Sequence, residues 1–410
     1  VIYYRKRAVS SFPQDRHIRR RFPLKYWRGY LTAGIFGFFT WMLTQFAKTH
    51  EELIDMFYPY VSRMVQDTLS AWSSAVSYPV WQVLAAVGIL VVIASIVLMV
   101  ILRWNPIQWF GWVLAAVSIV YFLHTGIYGL NSYAGPLADD IRLDVEEYTL
   151  SQLVDATTYY RDKANGLSTQ MPRNTDGSLN FPDFDTLASQ ADNGFRHLTY
   201  DDYYPVFAGD DSPVKKLGWA GFYTASGITG VTMGLTGEAA VNPEIPAISL
   251  PFTMCHELSH RRCIALERDA NFGAYLACRA NDSTQFQYSG YFMAYRYCYN
   301  ALVSAGGSVQ AQAISSGETA ELTRDLADYR TFFAQKQSAK ATKVADKVND
   351  TYIKASGDSS GVASYGEVCD LLVNLYLEEE VKPNMVEPEP TFDPLDKSQV
   401  DLGDLVGDWG

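Results

Sequence analysis

Five cysteines are spread over 410 residues, at Cys255, Cys263, Cys278, Cys298 and Cys369, and no CxxC pair occurs. An odd, scattered set excludes both a disulfide framework and a thiolate zinc site, and leaves small buried thiols. Basic residues are sparse beyond the first 28 positions. Nine precede Gly29 against one acid, Asp15; the remainder carries 24 basic and 44 acidic residues, a net charge of −20. With −12 over the whole chain, general nucleic-acid binding is excluded. No internal repeat is present. Histidine is scarce too, six in all, yet two of the six stand four positions apart at His256 and His260.

Long apolar runs are not scarce. Gly29–Ala47, Trp81–Leu102 and Ile107–Leu130 each match the ~20 residues that a bilayer crossing needs. The second contains no charge, and Trp27, Trp81, Trp104, Trp109 and Tyr128 lie near the ends of the runs, as interfacial anchors do. The first run is too long for a cleavable signal and is followed by no convincing small-residue cleavage site. The basic N-terminus predicts a cytoplasmic start, so three crossings place the acidic remainder outside the cell membrane, against the lipid bilayer. Between the first two runs, Leu53, Met56, Phe57, Val61, Met64, Val65, Leu69 and Trp72 fall at helical intervals. They predict an amphipathic helix, over about 49–76, lying on the outer leaflet or packed on the following domain.

The rest reads as mainly α with a small β element. The organisation expected is a basic cytoplasmic segment over 1–28, the membrane portion over 29–130, a globular domain over 131–380 and an acidic, Pro-containing tail over 381–410. Thr149 and Gln152 occupy capping-box positions of a first helix, with Gly166 near its end. Further helices are expected over Phe184–Asn193, Tyr288–Ala305, Glu318–Ala355 and Tyr365–Leu377. GFYTASGITGVTMGLTGE, from Gly221 to Glu238, is the best strand or hairpin candidate. Within it Ile228–Gly234 has the character of an edge strand that could pair with an extended peptide, or of an ordinary supporting hairpin. Glu238 reads as a solvated loop carboxylate or, the alternative, as a residue lining the cleft.

The chemistry concentrates in FTMCHELSHRRCIALERDANF, from Phe252 to Phe272. On a helix His256 and His260 share one face and can reach one ion, while Glu257 is placed to act as a general base. Zinc needs a third protein ligand and an open position for water, and Glu267 and Asp269 are the near candidates. On an unbroken helix Glu267 would lie roughly 16 Å from His256 along the axis. Either the helix ends near Arg261–Ile264 and the chain turns back, or a different residue binds. A turn at Cys263 demands an unusual backbone for a non-glycine residue. Tyr288, Tyr291 and His197 are candidate oxyanion donors, without a spacing argument for any. The charged neighbours Arg261, Arg262, Glu267 and Arg268 exclude a catalytic centre buried in the bilayer.

ERDAN resembles the ExxAD or ExxAN element of gluzincin-type membrane peptidases. By that resemblance Glu267 is the third zinc ligand and Asn271, with Asp269, stands behind the ligands. More closely, YPYVSRMVQDTL, GIYGLNSYAGPLADDIRLDVEEYTLSQL, GLTGEAAVNPEIPAISLPFTMCHELSHRRCIALERDANFGAYLAC and YSGYFMAYRYCYNAL resemble a bacterial family catalogued as domain of unknown function 3810 and placed with the zincin peptidases. The resemblance covers about residues 29–377 and leaves the tail outside. The family usually has Gly where this chain has Cys263. The match implies three membrane helices and an extracytoplasmic zincin-like domain. It also implies a Zn2+ cofactor and a peptide or protein substrate. The alternative, of a different class, is a zincin-derived membrane subunit with little turnover that binds a partner protein.

Overall fold

The computed structural model describes residues 26–338, 342–344, 347 and 364–384; the basic segment before residue 26 and the tail after 384 lie outside the described residues. The chain divides into two compact units, one of residues 1–46 and 86–126, the other of residues 47–85 and 127–410.

The smaller unit holds most of α1 (Arg28–Thr49), α3 (Val80–Ile101) and α4 (Pro106–Ile127). α1 and α4 approach so closely at Gly29 and Gly111 that a side chain at Gly29 would overlap the facing backbone. Tyr30 Oη donates to the Ile107 carbonyl at 2.9 Å, and Trp109 Nε1 donates to Ser95 Oγ at 3.0 Å. Of the three expected spans, α3 and α4 are long and apolar enough to cross a membrane. α1 is helical over the expected stretch but does not reach the same apolarity. Thr32, Thr40, Thr44 and Gln45 dilute its aromatic and aliphatic side chains.

The larger unit is mainly helical with one three-stranded sheet. It begins with α2 (Glu51–Ser73) and continues through α5 (Leu137–Asp140), α6 (Leu150–Ser168), α7 (Phe184–Gln190) and α8 (Asn193–Tyr200). Then follow β1 (Lys215–Lys216), α9 (Ala220–Ser226), β2 (Gly230–Met233) and β3 (Glu238–Val241). The rest is α10 (Leu250–Arg261), α11 (Glu267–Ala280), α12 (Thr284–Ser304), α13 (Ser308–Ser315), α14 (Ala320–Lys336) and α15 (Ser364–Tyr376). Thr149 and Gln152 close the expected capping box and start α6. Its Tyr160 is buried edge-on against Tyr275 of α11 and donates to the Leu372 carbonyl of α15 at 2.7 Å. α10 and α11 are so enclosed that most of their residues are buried, and α12 buries one side against them.

The Gly221–Glu238 stretch is strand only in its second half. Its first half forms α9, which Gly227 ends in the left-handed conformation, φ 77°. The sheet order is β1-β3-β2, with β1 parallel and β2 antiparallel to β3, so β2 is an edge. Beyond α14, the remainder of the expected Glu318–Ala355 helix falls largely outside the described residues.

α2 packs on this unit with its polar side. Ser62, Arg63, Gln66 and Ser70 are buried. Gln66 Nε2 donates to the Gly234 carbonyl at 2.9 Å, and Ser70 Oγ to Asp210 at 2.7 Å. At Gly237, φ 65°, a Cβ would strike the α2 backbone, so the β2–β3 turn lies directly on that helix. Glu238 is not a solvated loop carboxylate. It is buried, forms an ion pair with Lys215 at 2.7 Å, and accepts the Val80 and Trp81 amides at 2.7 and 2.9 Å. A carboxylate at the N-terminus of α3 satisfies amides that have no partner within the helix.

Candidate metal centre

α10 carries His256 and His260 one turn apart, with ring centroids 4.6 Å apart. The helix stops at Arg261 and the chain reverses through Cys263, whose φ is 70°. Two bonds define the turn. The Cys263 amide donates to the His260 carbonyl at 2.9 Å, and the Ile264 amide to the Ser259 carbonyl at 3.1 Å. This is a Schellman ending with cysteine where glycine is usual. The turn is held from outside: Arg63 donates to the Arg262 carbonyl at 3.3 Å, and Tyr128 Oη to the His260 carbonyl at 3.0 Å. The Cys263 thiol, pushed up to about 11 by burial, donates to Ser62 Oγ at 3.3 Å.

The reversal makes Glu267 the first residue of α11 and returns it to the histidines. His256 Nε2 lies 3.4 Å from Glu267 Oε2, and His260 Nε2 lies 3.7 Å from Oε1. One ligand atom from each of the three lies within 4.8 Å of the others. His260 Nδ1 meets the Ile264 carbonyl at 2.9 Å, so the residue that closes the turn also aims Nε2 inward. Burial pulls the His260 pKa down, but the hydrogen bond and charge of Glu267 outweigh it and hold it at about 9. Burial likewise raises Glu267, yet the two imidazoles outweigh burial and hold it well below the usual carboxylate range.

Glu257 is buried beside this trio, and burial raises its pKa against the pull of both histidines and Thr232. Thr232 of β2 donates to Glu257 Oε2 at 2.6 Å and lies 2.9 Å from the Glu257 carbonyl. Gly230 lies flat on the same carboxylate: a Cβ there would overlap it. The edge strand and the acid therefore form one wall. No motif pointed to Thr232 or Gly230; only the alternation of the strand placed one face of β2 toward α10.

Asn271 sits one turn behind Glu267 on α11, but it grips the Glu267 carbonyl at 2.8 Å rather than the carboxylate. Its Oδ1 accepts from Tyr297 Oη at 3.1 Å, a partner that sequence spacing did not indicate. Asp269 points the other way, accepting the Leu137 amide at 3.0 Å and Arg268 at 2.9 Å, which removes it as a ligand. The three expected oxyanion donors are engaged elsewhere. Tyr288 Oη donates to Asp325 at 2.6 Å, a carboxylate that also holds both Nη atoms of Arg173. Tyr291 packs against the rings of Tyr160 and Tyr275. His197 is exposed on α8, bridging Asp201 at 2.6 Å and Asp282 at 3.1 Å. A cavity of about 50 Å³, lined by Arg63, Asn131, Asp140, Cys263 and Asp269, opens behind the turn and not at the histidines.

A family described as "Protein of unknown function (DUF3810)" matches residues 54–373, more than half of the chain. The chain belongs to this family. The DUF3810 match spans α2, the β2–β3 hairpin, the histidine helix and α11, and so contains the whole trio. No curated protein and no solved structure matches the chain.

Proposed function

We propose that this DUF3810 protein is a membrane-anchored, zinc-dependent peptidase with a zincin-like catalytic unit. The observation that carries the reading is the convergence on one point of His256, His260 and Glu267, the last lying eleven positions after the first. The donor set fits the ion. Two imidazoles and a carboxylate are a usual catalytic zinc set. Glu267 Oε2 and His256 Nδ1 are buried with no hydrogen-bond partner among the described residues, and a cation supplies what that carboxylate oxygen is missing. Zinc, when bound, supplies Lewis acidity and makes a water molecule acidic near neutral pH.

The residues of the chain do the rest. Glu257 accepts a proton from the attacking water and delivers it to the departing amine. Thr232 donates to Glu257 Oε2 at 2.6 Å and holds that carboxylate in place. The outer edge of β2, which pairs with no other strand among the described residues, offers backbone groups to an extended peptide. α1 would make a third crossing beside α3 and α4, with the basic N-terminus cytoplasmic and the catalytic unit outside.

One observation favours a second reading, a zincin-derived subunit that binds a partner without turnover. Tyr288, Tyr291 and His197 are all engaged away from the trio, leaving no side-chain oxyanion donor among them. Metal analysis of chelator-free protein, followed by peptide-library cleavage with wild type and Glu257→Gln, separates the two. Cleavage by wild type alone supports the peptidase. Stoichiometric zinc without cleavage of any library transfers support to the second reading.

A further inference from the structure

α2 is amphipathic in the reverse sense for a domain helix: its polar side is buried and its apolar side faces out. Met56, Phe57, Tyr60, Val61, Met64 and Trp72 are between 57% and 78% exposed. From Met56 to the end of the helix no exposed residue is charged. A continuous apolar face of this kind marks an interaction surface rather than ordinary scatter. Its occupant is constrained by the chain. Only His50 separates α1 from α2, and six residues separate α2 from α3, one of the two helices fit to cross a membrane.

A second set of side chains lies at the start of α3. Gln82, in the first turn, accepts the Gly218 amide at 2.9 Å and donates to Tyr223 Oη at 3.1 Å, which fastens α9 beside that turn. The residues so placed, Trp219 and Phe222, are 65% and 66% exposed. Trp219 takes φ 55°, a conformation that costs a bulky residue energy. Tyr78 is also exposed, two residues before α3. Tryptophan and tyrosine concentrate where a bilayer meets water.

We infer that the outward face of α2, together with Trp219 and Phe222, is a lipid-docking surface that lies in the headgroup–acyl boundary of the bilayer. It rests on the proposed reading of α3 as a membrane helix. The same α2 holds the β2–β3 turn and the Arg262 carbonyl from its polar side. Docking would thus keep the β2–β3 turn and the end of α10 about one helix diameter, roughly 10–12 Å, from lipid.

The test uses the full chain in phospholipid nanodiscs, spin-labelled at single introduced cysteines; the five native thiols are buried. Val61→Cys, Met64→Cys and Phe222→Cys report the surface, and three positions ensure that one misfolded variant leaves two. Leu90→Cys in α3 reports the membrane helix, and Gln310→Cys on α13 reports water. Expected is a higher relaxation by oxygen than by a nickel chelate at the three surface positions and at Leu90, with the reverse at Gln310. Chelate-dominated relaxation at the surface positions with oxygen-dominated relaxation at Leu90 overturns the docking surface alone. Low accessibility to both reagents at the surface positions overturns it in favour of a second copy or another protein. Chelate-dominated relaxation at Leu90 overturns the membrane reading, and docking with it. None of these outcomes depends on zinc or on catalysis.

Discussion

Cys263 occupies a backbone position suited to glycine, and replacing it separates the geometry of the turn from the chemistry of the thiol. A non-glycine residue in the left-handed region costs about 1–2 kcal/mol. Cys263→Gly removes that cost. It gives back ~0.5–1 kcal/mol of unfolded-chain entropy and forfeits roughly 0.8 kcal/mol for the buried methylene, with a smaller amount for the thiol. The contributions nearly cancel, so stability should stay within ~1 kcal/mol of wild type. Cys263→Val keeps a side chain at φ 70° but branches it at Cβ, in a site only 5% exposed with Ser62 Oγ 3.3 Å from the sulfur. Overpacking of that kind costs ~1–3 kcal/mol beyond the backbone penalty. Because the same turn returns Glu267 to the histidines, zinc affinity should fall with stability in the valine variant and hold in the glycine variant. Denaturant midpoints in detergent and competition with a chromophoric chelator measure both. A valine variant matching wild type in both would refute the left-handed turn and the argument built on it.

Gly230→Ala should displace the Glu257 carboxylate while leaving His256, His260 and Glu267 in place. Turnover should fall about 100-fold with zinc content retained, since misplacing a catalytic group by ~1 Å has that effect. Glu238→Ala should destabilise the large unit by about 3–5 kcal/mol by leaving Lys215 buried and unpaired. Denaturation should show much of that loss recovered when Lys215→Met is added. Burial and the neighbouring Asp55 raise Asp140 from 3.8 to about 6, against the pull of Arg63. The folded state then holds that proton more tightly than the unfolded chain, so stability falls as pH rises from about 4 through about 6 and levels off above. Asp140→Asn should gain on wild type as pH rises from about 4 to about 7, and a flat difference across that range would contradict it.

Local signals were legible where the determinant was local. The Thr149–Gln152 capping box needs only four residues, and the structure closes it as the sequence suggests. Distance left two choices, a helix break before Glu267 or a different ligand, and the structure breaks the helix at Arg261. Contacts between distant segments were not legible. Glu238 reads as a loop acid until Lys215 and the α3 amides surround it. Tyr288 reads as a candidate oxyanion donor until its hydroxyl is seen donating to Asp325. The periodicity of α2 identified a helix, but not that Arg63 and Gln66 would bury its polar side by donating to carbonyls of the domain. α9 was hidden because GFYTAS carries aromatic and β-favouring residues, and Gly227 ends the helix just before the strand begins.

The central claim is that two imidazoles and one carboxylate share a single zinc ion. Anomalous difference density at the zinc edge, from full-length protein purified without chelator, tests it most directly. The account predicts one peak about 2.0–2.2 Å from Nε2 of His256, Nε2 of His260 and the carboxylate of Glu267. Well-ordered density for those three side chains with no peak among them, or a bound ion that Glu267 does not touch, would contradict it.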